Sequence, residues 1–200
     1  MAGNHDDHAQ YHDHGHDHED LPEAGGQDSL YAKIDRDNVR CLNEAEPESG
    51  KKYIESDSDD QLIFHIPFTG NVKLRSICIR STGGAAAPAH LKVFINRDDV
   101  DFDSVESFQS TQEWELVQSS TEVVEYGTRI PKFTNVRHLA LYFPSNFDSE
   151  DTPTRIDFLG FKGEWTEIKK DPIITVYEAS ANPADHKKIG VEDRLRHGVE

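Results

Sequence analysis

The chain has 200 residues, a hydrophobic fraction of 35%, and 38 acids against 21 lysines and arginines, for a formal charge of −17. That length fits one domain with loose ends. The charge argues against nucleic acid and anionic membrane surfaces as partners, since both select positive footprints, and no run approaches the ~18 apolar residues that cross a bilayer.

Residues 1–30 carry eight acids, six histidines and no Lys or Arg. Such a stretch has almost nothing to bury, so ordering it would cost entropy without return. A disordered tail is expected over residues 1–29. It has no apolar core of a secretory signal and no Arg of a mitochondrial presequence. Within it His12, His14, His16 and His18 alternate with Asp13, Gly15 and Asp17. Imidazoles at that density suit Zn²⁺, Ni²⁺ or Cu²⁺, so these four are the candidate metal ligands. A solubilising tail explains the same composition.

Asp35 to Asn43 has room for one or two helical turns. The acidic run Glu55-Ser56-Asp57-Ser58-Asp59-Asp60 reads as a solvated loop, with the steering of a basic partner as the alternative. Ser56 and Ser58 there suit an acid-directed kinase. Strand patterns follow. Leu62, Phe64 and Ile66 alternate with Ile63 and His65, ending at Pro67 and a Thr69-Gly70-Asn71 turn. A second strand starts at Val72, and its phase slips where Ile77 and Ile79 replace the expected positions. A bulge near Arg75 or burial on both faces explains the slip. Leu91, Val93 and Ile95 mark a third strand, Val136 to Phe143 a fourth, Ile156 to Phe161 a fifth. Trp114 to Val117, Val123 to Tyr126 and Ile173 to Tyr177 are weaker candidates. No interval holds a crossover helix, so parallel pairing is hard to connect, and the strands must pack as an antiparallel β-sandwich.

A catalytic constellation is not evident. His65 sits in an apolar strand and His90 and His138 at a strand start and within one, as sheet residues do. Cys78, between Ile77 and Ile79, reads as a buried thiol, while the neighbours of Cys41 leave its exposure open. There is no Gly-x-Ser-x-Gly elbow, Gly-rich phosphate loop or Cys-x-x-Cys pair. The absence of a signal and of Asn-x-Ser/Thr acceptors points to the cytoplasm and nucleus, with thiols reduced.

Ile66-Pro67-Phe68-Thr69-Gly70-Asn71-Val72-Lys73-Leu74 resembles the signature of the PITH domain, a proteasome-interacting domain found at the C-terminus of a thioredoxin-like protein. Cys41-Leu42-Asn43-Glu44, Phe133-Thr134-Asn135-Val136, Phe158 to Trp165 and Tyr177 to His186 match as well, and the tail is similar to that of stand-alone members. The resemblance covers about residues 30–186. It implies an all-β, galactose-binding-like jelly-roll β-sandwich of antiparallel strands over 30–186, followed by a flexible tail over 187–200. It also implies docking on the 26S proteasome. The thioredoxin half and its Trp-Cys-Gly-Pro-Cys site are missing, so that redox chemistry does not carry over.

The resulting expectation is a non-enzymatic, monomeric protein-interaction module without a cofactor, whose partner is the 26S proteasome. Glu178, Asn182, Asp185 and His186 are the candidate partner-binding residues, in a segment that equally suits a closing edge of the sandwich. A small-ligand or carbohydrate-binding jelly roll and divalent-metal binding through the tail are the alternatives.

Overall fold

The structure is a computed structural model, and it describes residues 26, 28–45, 52–118, 121–148 and 151–168. All the described elements belong to the compact unit that ends at Ile168. Among the described residues nine strands run in chain order: β1 (Arg40–Leu42), β2 (Ile54–Glu55), β3 (Leu62–Arg80), β4 (His90–Ile95), β5 (Gln112–Glu115), β6 (Val124–Gly127), β7 (Val136–Phe143), β8 (Arg155–Ile156) and β9 (Phe158–Thr166). Every strand pair is antiparallel, and the helical content among the described residues is five three-residue 3₁₀ turns.

The fold is organised by β3, which is one strand of 19 residues where the sequence pattern suggests two. Its first half lies between β1 and β7, and β7 continues to β4 and β5. Its second half lies between β9 and β6. The strand therefore passes from one layer of the sandwich to the other. The corner falls between Pro67 and Val72, where five steps along β3 match two along β7, from His138 to Val136. A proline lacking its N–H is tolerated at such an irregularity and not in a regular central ladder. The expected Thr69-Gly70-Asn71 turn is thus a corner within a continuous strand. Gly70 serves close approach there: a Cβ would meet Trp165 Nε1 at 2.5 Å and the Thr166 carbonyl oxygen at 2.6 Å.

The phase slip in β3 is a bulge at Arg75, since Leu74 faces Gly163 and Ser76 faces Lys162. The extra residue swaps faces, so Leu74 and Ile77 both point inward. Leu62, Phe64, Ile66, Val72, Leu74, Ile77 and Ile79 then share one interior with Leu91, Val93, Leu139, Leu141, Phe143 and Phe161. A second, smaller core lies on the other face of β3, β4 and β7. It consists of Ile63, Phe94, Ala140 and Tyr142 under Val100 and Val105. Two-sided burial explains why β7 is apolar at nearly every position.

The 3₁₀ turn Arg36–Asn38 falls within the predicted 35–43 helical stretch, which then continues as β1. Of the weaker candidates, Trp114 to Val117 overlaps Gln112–Glu115 only at Trp114 and Glu115, Val123 to Tyr126 matches Val124–Gly127 shifted by one residue, and Ile173 to Tyr177 lies outside the described residues.

Candidate interaction surface

The predicted metal ligands His12, His14, His16 and His18 and the predicted partner residues Glu178, Asn182, Asp185 and His186 all lie outside the described residues. Among the described residues no three His, Cys, Asp or Glu side chains converge as a metal site, and no helix is long and apolar enough to cross a membrane.

The acidic run is built differently from a solvated loop. Asn43 adopts a left-handed conformation, φ 68°, and its side-chain amide donates to Asp59 Oδ1 and to the Gln61 carbonyl, both at 2.8 Å. Asparagine tolerates that conformation better than most residues. Ser56 is 1% exposed; its hydroxyl donates to the Asp59 carbonyl and accepts the Thr154 N–H at 2.7 Å. Thr154 in turn donates to the Asp60 carbonyl at 2.5 Å. Ser56 is therefore a buried latch between the run and the start of β8, out of a kinase's reach. Ser58 is exposed.

A denser acidic surface follows β4, in a segment that carries few strand signals. Asn96, φ 55°, ends the strand and fixes the turn by accepting the Arg137 N–H at 2.8 Å and donating to the Asn135 carbonyl at 2.9 Å. The loop that follows covers the second core with Val100 and Val105 and exposes Asp98, Asp99, Asp101, Asp103 and Glu106 around Phe102. Arg97 grips Asp99 with two bonds, 2.9 and 2.7 Å, and lies 3.5 Å over the Phe108 ring. Asp101 and Ser104 bond each other's backbone N–H groups at 3.1 and 2.8 Å. The Arg97 guanidinium holds the Asp99 carboxyl below its ordinary pKa, and the Ser104 hydroxyl and N–H do so for Asp101. These acids stay ionised on a pinned loop with a half-exposed phenylalanine at its crest.

Beneath that loop His65 and His138 stand side by side, ring centroids 5.3 Å apart. His65 is 2% exposed and its Nε2 is 2.9 Å from the Val100 carbonyl, which ties β3 to the acidic loop. The Nδ1 atoms of both rings are buried and have no hydrogen-bond partner among the described residues. Burial lowers both pKa values, and for His138 the neighbouring His65 lowers it further. His65 is more deeply placed than an ordinary sheet residue and holds a loop in position.

Elsewhere, His90 Nδ1 lies 3.0 Å from Ser145 Oγ. The flanking backbone explains this pair: Ala89 N–H donates to the Ser145 carbonyl at 2.8 Å, and Pro88 bridges Asn146, so serine and imidazole are cross-strand neighbours at a ladder end. Among the described residues no hydrogen bond orients the imidazole through a carboxylate, as a catalytic triad requires. Among the described residues neither Cys41 nor Cys78 forms a disulfide, and Cys78 is buried. Burial, aided by Glu44, pushes Cys41 up to about 12, far from the thiolate that nucleophilic chemistry needs.

The remaining surface feature is the outer edge of β9. Residues 28–30 pair with it: Leu30 N–H donates to the Phe161 carbonyl at 2.9 Å, and Gly163 N–H donates to the Asp28 carbonyl at 2.8 Å. After Leu30 the chain turns away through the 3₁₀ turn Tyr31–Lys33. A cleft of about 200 Å³ opens there, lined by Tyr31, Ile34, Cys78, Phe158, Leu159 and Gly160 among others.

Over residues 20–181 the chain matches the family model described as PITH domain. It is 42% identical over 201 residues to PITH domain-containing protein CG6153 of Drosophila melanogaster, covering 90% of this chain and 94% of that protein. It is 36% identical over 200 residues to PITH domain-containing protein 1 of Homo sapiens, covering 87% and 93%. Among solved structures it resembles that of the CBM32-1, CBM32-2 and M60 catalytic domains of Clostridium perfringens ZmpB. The TM-score is 0.53 at 12% identity over 72% of this chain and 16% of that one, a likeness of fold alone.

Proposed function

The chain belongs to the PITH domain family, and from that premise we propose that it is a non-catalytic protein-interaction module whose partner is the 26S proteasome. The observation that carries this reading is the family match over residues 20–181, which spans the sandwich and its acidic loop together. Asp99 and Asp101 are pinned and held in their charged form, and three further exposed acids stand on the same loop, a suitable arrangement for steering a basic protein surface. Phe102, 38% exposed and edge-on to Tyr142 at 6.5 Å, supplies an apolar anchor beside them.

Co-sedimentation of the full chain with purified 26S particles tests this. Capture at moderate salt that weakens as salt rises supports it. Equal recovery with and without particles removes the proteasome as partner. Reversing Asp98, Asp101 and Asp103 to Lys is expected to slow association at least tenfold; an unchanged rate removes the loop from the encounter.

A further inference from the structure

The β9 edge is only partly used. Along a strand the N–H and C=O of residues i and i±2 point to the same side. Phe161 and Gly163 direct theirs outward to residues 28–30, so Leu159 directs its own toward the same edge, facing the cleft. An antiparallel pairing of Leu30 with Phe161 would also return the Phe161 N–H to the Leu30 carbonyl. That carbonyl instead accepts the Lys33 N–H at 2.9 Å as the chain turns. Among the described residues, three main-chain groups, the Phe161 N–H and both groups of Leu159, are left without a main-chain partner along a continuous edge with an apolar recess beside it. The recess is walled by Tyr31, whose hydroxyl oxygen accepts an Arg36 Nη1–H at 3.4 Å, and by Phe158, whose ring lies over Gly160.

We infer that the Leu159–Phe161 stretch of the β9 edge takes an extended segment of a protein partner as an added strand, with one apolar side chain of that segment seated in the Tyr31–Phe158 cleft. Unpaired strand groups in a row are satisfied best by another extended main chain. Residues 28–30 already bind the adjoining stretch in this way. The charged groups around the cleft are Lys162, Arg36 on Tyr31 and Arg80 over the Phe158 ring, against Asp157, which Arg155 already pairs; they favour a segment with Asp or Glu flanking its apolar residue. This rests on the protein-interaction reading and names the form of the partner.

The probe is a phage-displayed library of linear heptapeptides selected on the full chain, with the best sequence synthesised in two forms, one N-methylated at its central amides. The expected result is that the plain peptide shifts the ¹⁵N–¹H signals of Leu159 and Phe161, and that N-methylation weakens binding at least tenfold. Leu159→Pro, which removes an edge N–H, is expected to weaken the peptide at least tenfold and to reduce 26S capture. Failure to select a peptide that moves those two signals overturns the inference, as does equal binding of the N-methylated form, a comparison that needs no protein variant. Full 26S capture by a folded Leu159→Pro chain that has lost the peptide overturns it while leaving the proposed function standing. Peptide binding at this edge by a chain that captures no 26S particle upholds the inference and removes the proteasome instead.

Discussion

Gly163→Ala probes the way β9 seats on β3. A Cβ at Gly163 would collide with the Lys73 carbonyl oxygen, with Lys73 C at 3.1 Å and Leu74 Cα at 3.2 Å behind it. All three atoms are backbone beside the Arg75 bulge, so no side chain can swing away. Gly163 has no positive φ, and alanine suits its conformation; the cost is steric alone. Relief requires β9 to move outward and stretch its pairing with β3 and with Asp28, whose carbonyl takes the Gly163 N–H at 2.8 Å. Overpacking of a closed site costs about 1–3 kcal/mol, and a purely backbone obstacle belongs near the upper end. For a chain of this size that lowers the melting temperature by roughly 4–10 °C. Gly127→Ala is the control: nothing lies within 4 Å of its Cβ, so the change is expected to be neutral or to stabilise by about 0.5 kcal/mol. Urea titration of both variants reads the difference as a midpoint shift at unchanged slope. A Gly163→Ala chain as stable as Gly127→Ala would refute the close seating of β9 and the bulge that produces it.

Three further outcomes follow from the same contacts. Ser56→Ala strands the Thr154 N–H and is expected to cost about 1–3 kcal/mol, against less than about 0.5 for exposed Ser58→Ala; equal urea midpoints would deny the latch. An acid-directed kinase acting on the folded chain should phosphorylate Ser58 and spare Ser56, as phosphopeptide mapping would show. His65 and His138 have folded pKa values below the ordinary imidazole value, so the unfolded chain binds their protons first. Their contribution to stability is complete above pH ~6.5 and is lost as pH falls below it toward the folded values. Urea midpoints between pH 7.5 and 5 should therefore fall more steeply for the native chain than for His65→Gln/His138→Gln, and parallel slopes would contradict the burial of the pair.

The strands were legible wherever one face alone is buried or the apolar run is dense. Val136 to Phe143 is β7 to the residue, and the slipped phase beyond Arg75 left a bulge or two-faced burial open, of which β3 shows both, the bulge at Arg75 and burial of Ser76 to Ile79 on both faces. Local pattern failed where distant chain decides the geometry. Gly70 resembles a turn residue in isolation, and only Trp165, far along the sequence, shows that it is a close-approach glycine. Ser56 sits among acids that suggest solvent, yet a hydroxyl latch to Thr154 buries it. The acidic loop after Asn96 shows in the sequence as an Asp-rich stretch, but its task of roofing a second core depends on Val100 and Val105 meeting the far face of β3, β4 and β7. The β9 edge carries no sequence signal, because an unpaired backbone N–H is a property of neighbours and not of residue type. The family membership, in contrast, was readable from motifs such as Ile66 to Leu74, since these residues form the corner that joins the two layers.

The most direct test of the central claim is sedimentation of the full chain with purified 26S particles at two salt concentrations, monitored alongside the Asp98/Asp101/Asp103→Lys chain. The account predicts saturable co-sedimentation that declines with salt and is slower to form in the charge-reversed chain. A native, folded chain that stays in the supernatant at every particle concentration would contradict it.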